Sequence, residues 1–206
     1  MTYDPEKHHR RSIRLKEYDY SQAGAYFVTV CTQNRECLFG GIVDGQMRLT
    51  DAGQMVQTTW DELPKHYTGI DIDEFVVMPN HVHGIILIQD VGAGPGACPN
   101  KGQPQGVTST LSLPDVVHRF KSITTTRYRH GVAQKCWSPF PGRLWQRNYY
   151  EHIIRNEDDL LDIREYITNN PSRWSEDENN PINFKEGQPQ LGQADESPLH
   201  ILKIKP

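Results

Sequence analysis

Two histidines separated by one residue begin an apolar run in the segment 75–88, which reads FVVMPNHVHGIILI. In a β-strand, side chains two residues apart point to the same face of the sheet. His81 and His83 would therefore direct both imidazoles towards one point. Two converging neutral imidazoles form half of a typical divalent-metal site, although histidine pairs in strands more often serve packing or lie at the surface. The pair alone leaves both interpretations open.

A tyrosine and an asparagine near the end of a predicted helix provide a second chemically distinctive pair. Asn156 and the acidic turn after it predict a helix from 157 to 169 or 170, ended by Pro171. Tyr166 and Asn170 are four residues apart, so they share one face of this helix. Taken alone, Tyr166 is more typical of amphipathic packing, and Asn170 of a C-terminal cap.

Taken together, the four side chains indicate metal-assisted phosphodiester chemistry. Two imidazoles and an amide oxygen can hold Mg²⁺ or Mn²⁺ while positions stay open for a substrate oxygen. A phenol one helical turn before the amide would face that ion. Such a phenol can attack a phosphodiester, forming a phosphotyrosine bond and releasing a 3′-hydroxyl. Because the adduct keeps the bond energy, rejoining the strand requires no nucleotide cofactor.

The elements predicted around these residues indicate a ferredoxin-like (RRM-like) α+β fold. Their order is strand, helix, strand, strand, helix, strand, which gives an antiparallel sheet with helices on one face. A further helix follows and is free to carry chemistry against the sheet. Strands are predicted at 25–32, 70–78, 81–89 and 144–154, a hairpin at 42–49, and helices at 51–63, 116–130 and 157–170.

Length and composition predict one domain with polar extensions. The chain has 206 residues, of which 36% are hydrophobic, enough for a single core over residues 21–174. A basic arm is expected at 1–20, a flexible Gly/Pro-rich insertion at 91–110, and an acidic tail on the surface or disordered at 175–206. No apolar run approaches the length of a membrane span and no secretory signal is visible. These features predict a cytoplasmic, nucleoid-associated protein.

Basic side chains are concentrated locally, although the formal net charge is −4. Clustered Arg and Lys side chains bind nucleic-acid backbones by releasing counterions. Aromatic side chains can stack on unpaired bases. The predicted DNA contacts are Arg10, Arg11, Arg14, Lys16, Arg119, Lys121, Arg127, Arg129, Arg147 and the stacking residue Trp145. The alternatives are a solvated surface for the charged residues and core packing for Trp145.

Four separate segments resemble, in the same order, the REP-associated branch of the single-tyrosine HUH transposases. They read VMPNHVHG at 77–84, FKS at 120–122, LWQRNYYEH at 144–152 and REYITNNP at 164–171. The resemblance covers about residues 10–174. It implies that His81, His83 and Asn170 bind a metal and that Tyr166 is the nucleophile. It further implies an enzyme that cuts and rejoins single-stranded DNA near an imperfect hairpin that the protein recognises.

Several alternatives remain open from the sequence. Tyr149 and Tyr150 are rival nucleophiles, but Tyr166 is preferred because a rigid helix positions its phenol and Asn170 shares that face. Glu151 and His152 either support the site from outside the ring of metal ligands or simply pair on the surface. The protein is also compatible with a domesticated, non-catalytic DNA-hairpin binder or a phosphodiesterase that uses water. It is expected to be a monomer or homodimer, and the short link after residue 154 favours a site completed within one chain.

Overall fold

The structure, a computed structural model, describes residues 18–89 and 111–183. Within these residues the strands are β1 Gly24–Cys31, β2 Gly40–Val43, β3 Gln46–Leu49, β4 Ile70–Val77, β5 His81–Ile88 and β6 Tyr150–Ile154. The helices are α1 Asp51–Asp61, α2 Leu63–His66, α3 Leu113–Lys135 and α4 Glu157–Asn169. Short 3-10 turns occupy Gln33–Arg35, Pro171–Glu176 and Pro181–Asn183.

Four strands form an antiparallel sheet in the spatial order β4-β5-β1-β6, and β2 and β3 pair as a separate hairpin. With α1 and α3 between them, these strands have the β-α-β-β-α-β order of a ferredoxin-like α+β fold. The predicted fold class is therefore confirmed. Because β5 is a central strand paired on both sides, its backbone gives a rigid support to the two histidines.

The two faces of the sheet are covered by different helices. On one face, alternate residues of β1 and β5, among them Val28 and Val82, join the side chains of α1 and α3 in the main core. On the other face, Phe27 and Ile85 pack against Ile163 and Ile167 of α4 in a second, smaller core. The last helix thus lies against the sheet face that carries the histidines.

Polar contacts fix α4 in this position as well. The Asn156 side chain accepts a hydrogen bond from the backbone N–H of Asp159 at 2.9 Å and caps the first turn. The Arg164 guanidinium binds the Asp73 carboxylate of β4 with two hydrogen bonds of 3.0 and 2.5 Å. The buried isoleucines and these two polar contacts together define the orientation of the helix on the sheet.

A single glycine allows β5 to pack closely on its other face. A Cβ atom at Gly84 would lie 2.5 Å from the Trp60 ring and 2.7 Å from the Phe75 ring. Those two rings stack with centroids 4.3 Å apart. Gly84 therefore makes room for a stacked aromatic pair directly behind the histidine strand.

The element boundaries differ from the prediction at three places. Pro64 does not end the helical path, because it lies in the first turn of α2, where a proline is tolerated. The helix predicted at 116–130 is longer and spans Leu113–Lys135. The strand predicted at 144–154 is confined to Tyr150–Ile154, because the preceding carbonyl groups of residues 146–148 point to the ammonium group of Lys121 instead of to a strand.

The tail expected on the surface after Trp174 is partly buried within residues 175–183. Asp177, Asn179 and Asn180 are all buried, and the Asn180 amide donates to the Trp174 carbonyl oxygen at 2.9 Å. Side-chain amides bind backbone carbonyl oxygens of this segment, so it packs with short 3-10 turns and without an α-helix or a strand. The predicted insertion at 91–110, all but three residues of the arm at 1–20, and residues 184–206 lie outside the described residues. Within 18–89 and 111–183, no helix combines the length and apolarity needed to cross a bilayer.

Candidate metal and nucleophile site

The two histidines of β5 meet as their spacing predicts. His81 lies opposite Cys31 of β1, and His83 lies opposite Thr29. Both imidazoles are buried, and their Nε2 atoms are 2.9 Å apart. The prediction that both rings aim at one point is confirmed.

The outer nitrogens of both rings have defined partners. The Asn80 amide nitrogen donates to the carbonyl oxygens of Arg35 and Asn179 at 2.9 and 2.8 Å, so its Oδ1 must act as the acceptor for His81 Nδ1 at 2.8 Å. This contact puts the proton of neutral His81 on Nδ1 and leaves the Nε2 lone pair for a metal. His83 Nδ1 contacts the Thr29 hydroxyl at 2.8 Å, which fixes the second ring.

Both imidazoles are neutral in the physiological pH range. Burial lowers the pKa of His81 to about 3, and Arg35 lowers it further. Burial and the neighbouring His81 hold the pKa of His83 well below its usual value, against an opposite effect of Asp177. Neutral imidazole is the form that binds a metal ion.

The depressed pKa values lead to a prediction about the pH dependence of metal binding. Protons compete with a metal for His81 Nε2 only as the pH falls towards about 3. We therefore expect the Kd for Mn²⁺ to show no step from imidazole protonation between about pH 8 and about pH 5.5, measured by calorimetry. A steep loss of affinity as the pH falls through about 6.5, the reference pKa of histidine, would contradict this environment.

Tyr166 of α4 reaches the histidine pair from the same chain. Its hydroxyl lies 3.5 Å from His83 Nε2, and its ring meets the His83 ring with centroids 5.2 Å apart. The edge-on contact with the Phe27 ring, at 5.9 Å, fixes the other side of the phenol. Burial raises the pKa of Tyr166 and Asp177 raises it further, while Asn170 has the opposite effect. The phenol is thus positioned beside the imidazoles in its protonated form.

Asn170 places a further oxygen in this region. The residue is 4% exposed, and among the described residues its Oδ1 atom has no hydrogen-bond partner. It follows α4 directly with helical backbone angles of −58° and −42°, so it continues the helical path and is not a left-handed cap. A buried carbonyl oxygen without a donor is costly in a folded protein, which suggests a partner such as a cation.

Asp177 was missed by the sequence reasoning because it lies in the acidic segment interpreted as a tail. Its Oδ2 atom is 3.6 Å from His81 Nε2 and makes no hydrogen bond to another described residue. One donor atom from each of His81, His83 and Asp177 lies within 4.8 Å of the other two, so this group can hold a metal ion. Imidazole nitrogens and donor-free buried oxygens are together a suitable ligand set for a divalent cation.

The two predicted supporting residues lie elsewhere. His152 Nε2 contacts the carboxylate of Asp159 at 3.0 and 3.1 Å, which links β6 to α4. Glu151 lies opposite Val28 of β1 and between Tyr150 and His152 of β6. Strand alternation directs its side chain to the sheet face covered by α1 and α3, away from the imidazoles.

The rival tyrosines are engaged in packing. Tyr150 is 8% exposed and packs against Phe27. Tyr149 lies beneath the ammonium group of Lys121, 5.2 Å from its ring centroid. Neither ring is placed among the contacts made by His81 and His83.

Three of the predicted DNA contacts have other roles. Trp145 is 4% exposed, packs between Phe39 and Phe120, and donates its indole N–H to Thr124 at 2.8 Å. The ring is therefore in the core and is not available to stack on a base. Arg127 pairs with Glu62 at 2.7 Å and donates to Thr59 at 2.9 Å, which joins α3 to α1.

Lys121 is the third such residue, and it acts as an internal anchor. Its ammonium group donates to the carbonyl oxygens of residues 146, 147 and 148 at 3.0, 3.4 and 3.0 Å. Arg119, Arg129 and Arg147 are exposed and stay candidates, while Arg10, Arg11, Arg14 and Lys16 lie outside the described residues.

We expect Lys121→Met to destabilise the fold. Losing these donors leaves three carbonyl groups without their common partner, which should lower the free energy of unfolding by about 1–3 kcal/mol in urea titrations. Arg129→Met on the same helix is the control, because Arg129 is exposed and should have little effect. Equal stability of the two variants would contradict the anchoring role.

Comparisons with known proteins identify two relatives that differ in their sequence identity to this chain. No protein-family model matches the chain. An uncharacterized protein of Haemophilus influenzae is 45% identical over 188 residues, which cover 85% of this chain and 96% of the relative. A second protein of that organism, named "Putative REP-associated tyrosine transposase", is 23% identical over 153 residues, which cover 74% of this chain and 73% of the relative.

Two solved structures show a weak similarity. One is described as a REP-associated tyrosine transposase bound to a REP hairpin, with a TM-score of 0.45, 21% identity, and coverage of 78% of this chain and 73% of that chain. The other is a crystal structure of a putative transposase from Deinococcus radiodurans, with a TM-score of 0.35, 22% identity, and coverage of 76% and 95%. The fold assignment above depends on the strand order of this chain and not on these scores.

Proposed function

We propose that the chain is a REP-associated tyrosine transposase, the family to which its 23%-identical relative is assigned, and that it acts as a metal-dependent single-stranded DNA endonuclease and strand transferase. It would cut near a DNA hairpin, form a covalent 5′-phosphotyrosine intermediate and rejoin strands. The observation that carries the proposal is the 3.5 Å distance between the Tyr166 hydroxyl and His83 Nε2 within one chain. A phenol from a helix and two imidazoles from a strand thus lie side by side, as an attacking oxygen and the ligands of the cation would have to.

The residues that would hold the cation are His81, His83 and Asn170. The imidazoles would bind through Nε2, because Asn80 and Thr29 engage their Nδ1 atoms. Asn170 would use its buried Oδ1, which has no other partner among the described residues. When bound, Mg²⁺ or Mn²⁺ would polarise the scissile phosphate and offset the negative charge that develops in the transition state.

The Tyr166 oxygen would attack the phosphorus atom of the scissile phosphodiester. A bond forms between this oxygen and phosphorus, the bond from phosphorus to the 3′-oxygen breaks, and the 3′-oxygen takes up a proton. The phenol loses its proton in the same step. Attack by a 3′-hydroxyl on the adduct reverses the sequence and restores the phenol, so no nucleotide cofactor is consumed.

The surroundings of Tyr166 determine how this step proceeds. Burial and Asp177 both oppose ionisation of the phenol, since they raise its pKa. Proton loss would therefore accompany bond formation instead of preceding it. The contacts with Phe27 and His83 hold the ring in one orientation, which lowers the entropic cost of reaching the transition state.

Exposed basic residues would contact the hairpin. Arg119 and Arg129 of α3 and Arg147 before β6 are exposed, although Arg119 also lies over the Tyr67 ring and Arg129 over the Phe140 ring. These groups would bind phosphates, so hairpin affinity should fall as salt rises. They would provide the local positive charge that a chain of net charge −4 requires for DNA binding.

The polarity of the covalent product tests the proposal. A single-stranded oligonucleotide with a hairpin is labelled at its 3′ end or its 5′ end and incubated with the protein and Mn²⁺. We expect the 3′ label in an SDS-stable protein adduct, and the 5′ label in a shortened free strand with a 3′-hydroxyl. Cleavage without any adduct would indicate hydrolysis by water, and binding without cleavage would indicate a hairpin-binding protein; either result would contradict the proposal.

A mixing experiment tests whether the site is completed within one chain. Because Tyr166 and His83 of the same chain are in contact, a mixture of His83→Ala and Tyr166→Phe proteins should remain inactive. Each variant lacks a part that the other could supply only by exchanging helices between protomers. Activity of the mixture well above that of either variant would show a site shared between two chains.

A further inference from the structure

The segment that follows α4 lies over the histidine pair. Within Pro171–Asn183, the Trp174 ring lies 6.0 Å from the His81 ring, and Asp177 is buried beside the same imidazole. Resting on the proposed function, we propose that Asp177 is a further ligand of the cation held by His81 and His83. Cation binding and docking of residues 171–183 then reinforce each other.

The Asp177 carboxylate is oriented for this role. Its Oδ1 accepts the backbone N–H of Asn179 at 2.6 Å, which fixes the side-chain rotamer. The second oxygen, Oδ2, then points to His81 Nε2 at 3.6 Å. The backbone N–H of Asp177 donates to the Trp174 carbonyl oxygen at 3.2 Å, so the main chain at this position is held too.

The donor distances agree with a coordination sphere. Ligand atoms about 2.1 Å from a cation lie about 3.0 Å apart at octahedral angles and about 3.4 Å apart at tetrahedral angles. The Nε2 atoms of His81 and His83 are 2.9 Å apart, and Asp177 Oδ2 is 3.6 Å from His81 Nε2. The three donor atoms lie within 4.8 Å of one another, so an inward shift of the carboxylate would bring all three to one ion.

The buried position of Asp177 Oδ2 also indicates that this oxygen binds a positively charged partner. The Asp177 side chain is 7% exposed, and Oδ2 receives no hydrogen bond from another described residue. A buried carboxylate oxygen without a donor is unfavourable unless a positive charge is nearby. A divalent cation held by the two imidazoles would contact Oδ2 directly, and a carboxylate is a preferred ligand of Mg²⁺ and Mn²⁺.

One asparagine couples the histidines to this segment. Asn80 accepts from His81 with its oxygen and donates to the Asn179 carbonyl oxygen at 2.8 Å with its nitrogen. Arg35 donates to the carbonyl oxygen of the preceding residue, Glu178, at 2.6 Å. The segment is therefore attached to the residues behind His81, and a cation bound by Asp177 would add an attachment in front of it.

Metal titration of four variants tests the assignment. We expect Asp177→Ala to raise the Kd for Mn²⁺ by about tenfold or more, and the isosteric Asp177→Asn to raise it by a smaller factor. Glu178→Gln removes the same charge one residue further on and should change the Kd by no more than about threefold, since it acts only through space. His81→Ala should raise the Kd by about 100-fold or more. Melting temperatures of the metal-free variants establish that each one is folded.

Hydrogen exchange provides a second measurement that does not depend on activity. In the wild-type protein and in Glu178→Gln, Mn²⁺ should slow amide exchange in residues 174–180, because the cation stabilises the docked segment. Asp177→Ala and Asp177→Asn should show little or none of this slowing.

The outcomes separate the two levels of the proposal. Wild-type Mn²⁺ affinity in both Asp177 variants, or metal-dependent slowing of exchange that survives in them, would overturn the role of Asp177 alone if the affinity of His81→Ala still falls by about 100-fold. Wild-type affinity in His81→Ala would overturn the histidine metal site on which the proposed function depends.

Discussion

Replacing Tyr166 with phenylalanine is expected to abolish strand cleavage and the covalent adduct. The change removes only the hydroxyl group that lies 3.5 Å from His83 Nε2 and keeps the ring that packs against Phe27. Loss of a catalytic nucleophile lowers turnover by about 1,000-fold or more, whereas loss of one weak buried contact has a small effect on stability. Cleavage rate and adduct yield on a labelled hairpin oligonucleotide measure the effect.

Tyr149→Phe is the matched control for this variant. Tyr149 is the half-buried tyrosine whose ring lies beneath Lys121, and it should retain the wild-type cleavage rate within about threefold. Both variants should bind the hairpin as tightly as the wild-type protein. Full adduct formation by Tyr166→Phe, or loss of the adduct in Tyr149→Phe alone, would show that Tyr166 is not the nucleophile.

His81→Ala should have an effect of similar size through the cation. It removes one of two imidazoles whose Nε2 atoms are 2.9 Å apart, so the pair can no longer bind one ion. We expect Mn²⁺ affinity to fall by about 100-fold or more, and cleavage to fall with it at fixed metal concentration. Calorimetry gives the first quantity, and the initial rate of cleavage at several Mn²⁺ concentrations gives the second.

His118→Ala is the control for this loss of an imidazole. His118 is an exposed residue of α3, so its removal should leave both metal affinity and rate unchanged. Excess Mn²⁺ should partly restore cleavage in His81→Ala, because the phenol stays in place. Wild-type metal dependence of cleavage in His81→Ala would contradict a cation held at this position.

Much of the fold follows from local sequence patterns. Apolar β-branched runs predicted β1, β4 and β5 to within a residue at each end, and the Asn156 cap with its acidic turn predicted the start of α4. The strand order then follows, since a β-α-β-β-α-β sequence places β1 and β5 at the centre. The convergence of His81 and His83 required only the two-residue period of a strand.

Tertiary contacts account for what the local patterns missed. Trp145 and Lys121 are of residue types that are common in DNA-binding surfaces. In the structure, however, the indole lies between two phenylalanine rings and the ammonium group binds three carbonyl oxygens. Whether such an amphipathic side chain faces inwards depends on the gap left by distant residues. The sequence of this region contains no information on that gap.

The burial of Asp177 at the site is likewise not predictable from local sequence patterns. The segment SEDENNPINF has neither helical nor strand periodicity and is rich in polar residues, which is typical of a tail. The order of residues 175–183 derives from amide side chains: Asn180 donates to the carbonyl oxygen of Trp174, and Asn183 donates to those of Ser175 and Asp177. The Asn-Asn-Pro sequence at 179–181 was the one available signal of a defined turn.

Mass spectrometry of the DNA–protein adduct tests the central claim most directly. The protein is incubated with a hairpin oligonucleotide and Mn²⁺, the adduct is digested with a protease and a nuclease, and the modified peptide is sequenced. We expect the nucleotide on the peptide that contains Tyr166, linked through a 5′-phosphate. A nucleotide on Tyr149 or Tyr150, or a cleaved strand with every tyrosine unmodified, would contradict the account.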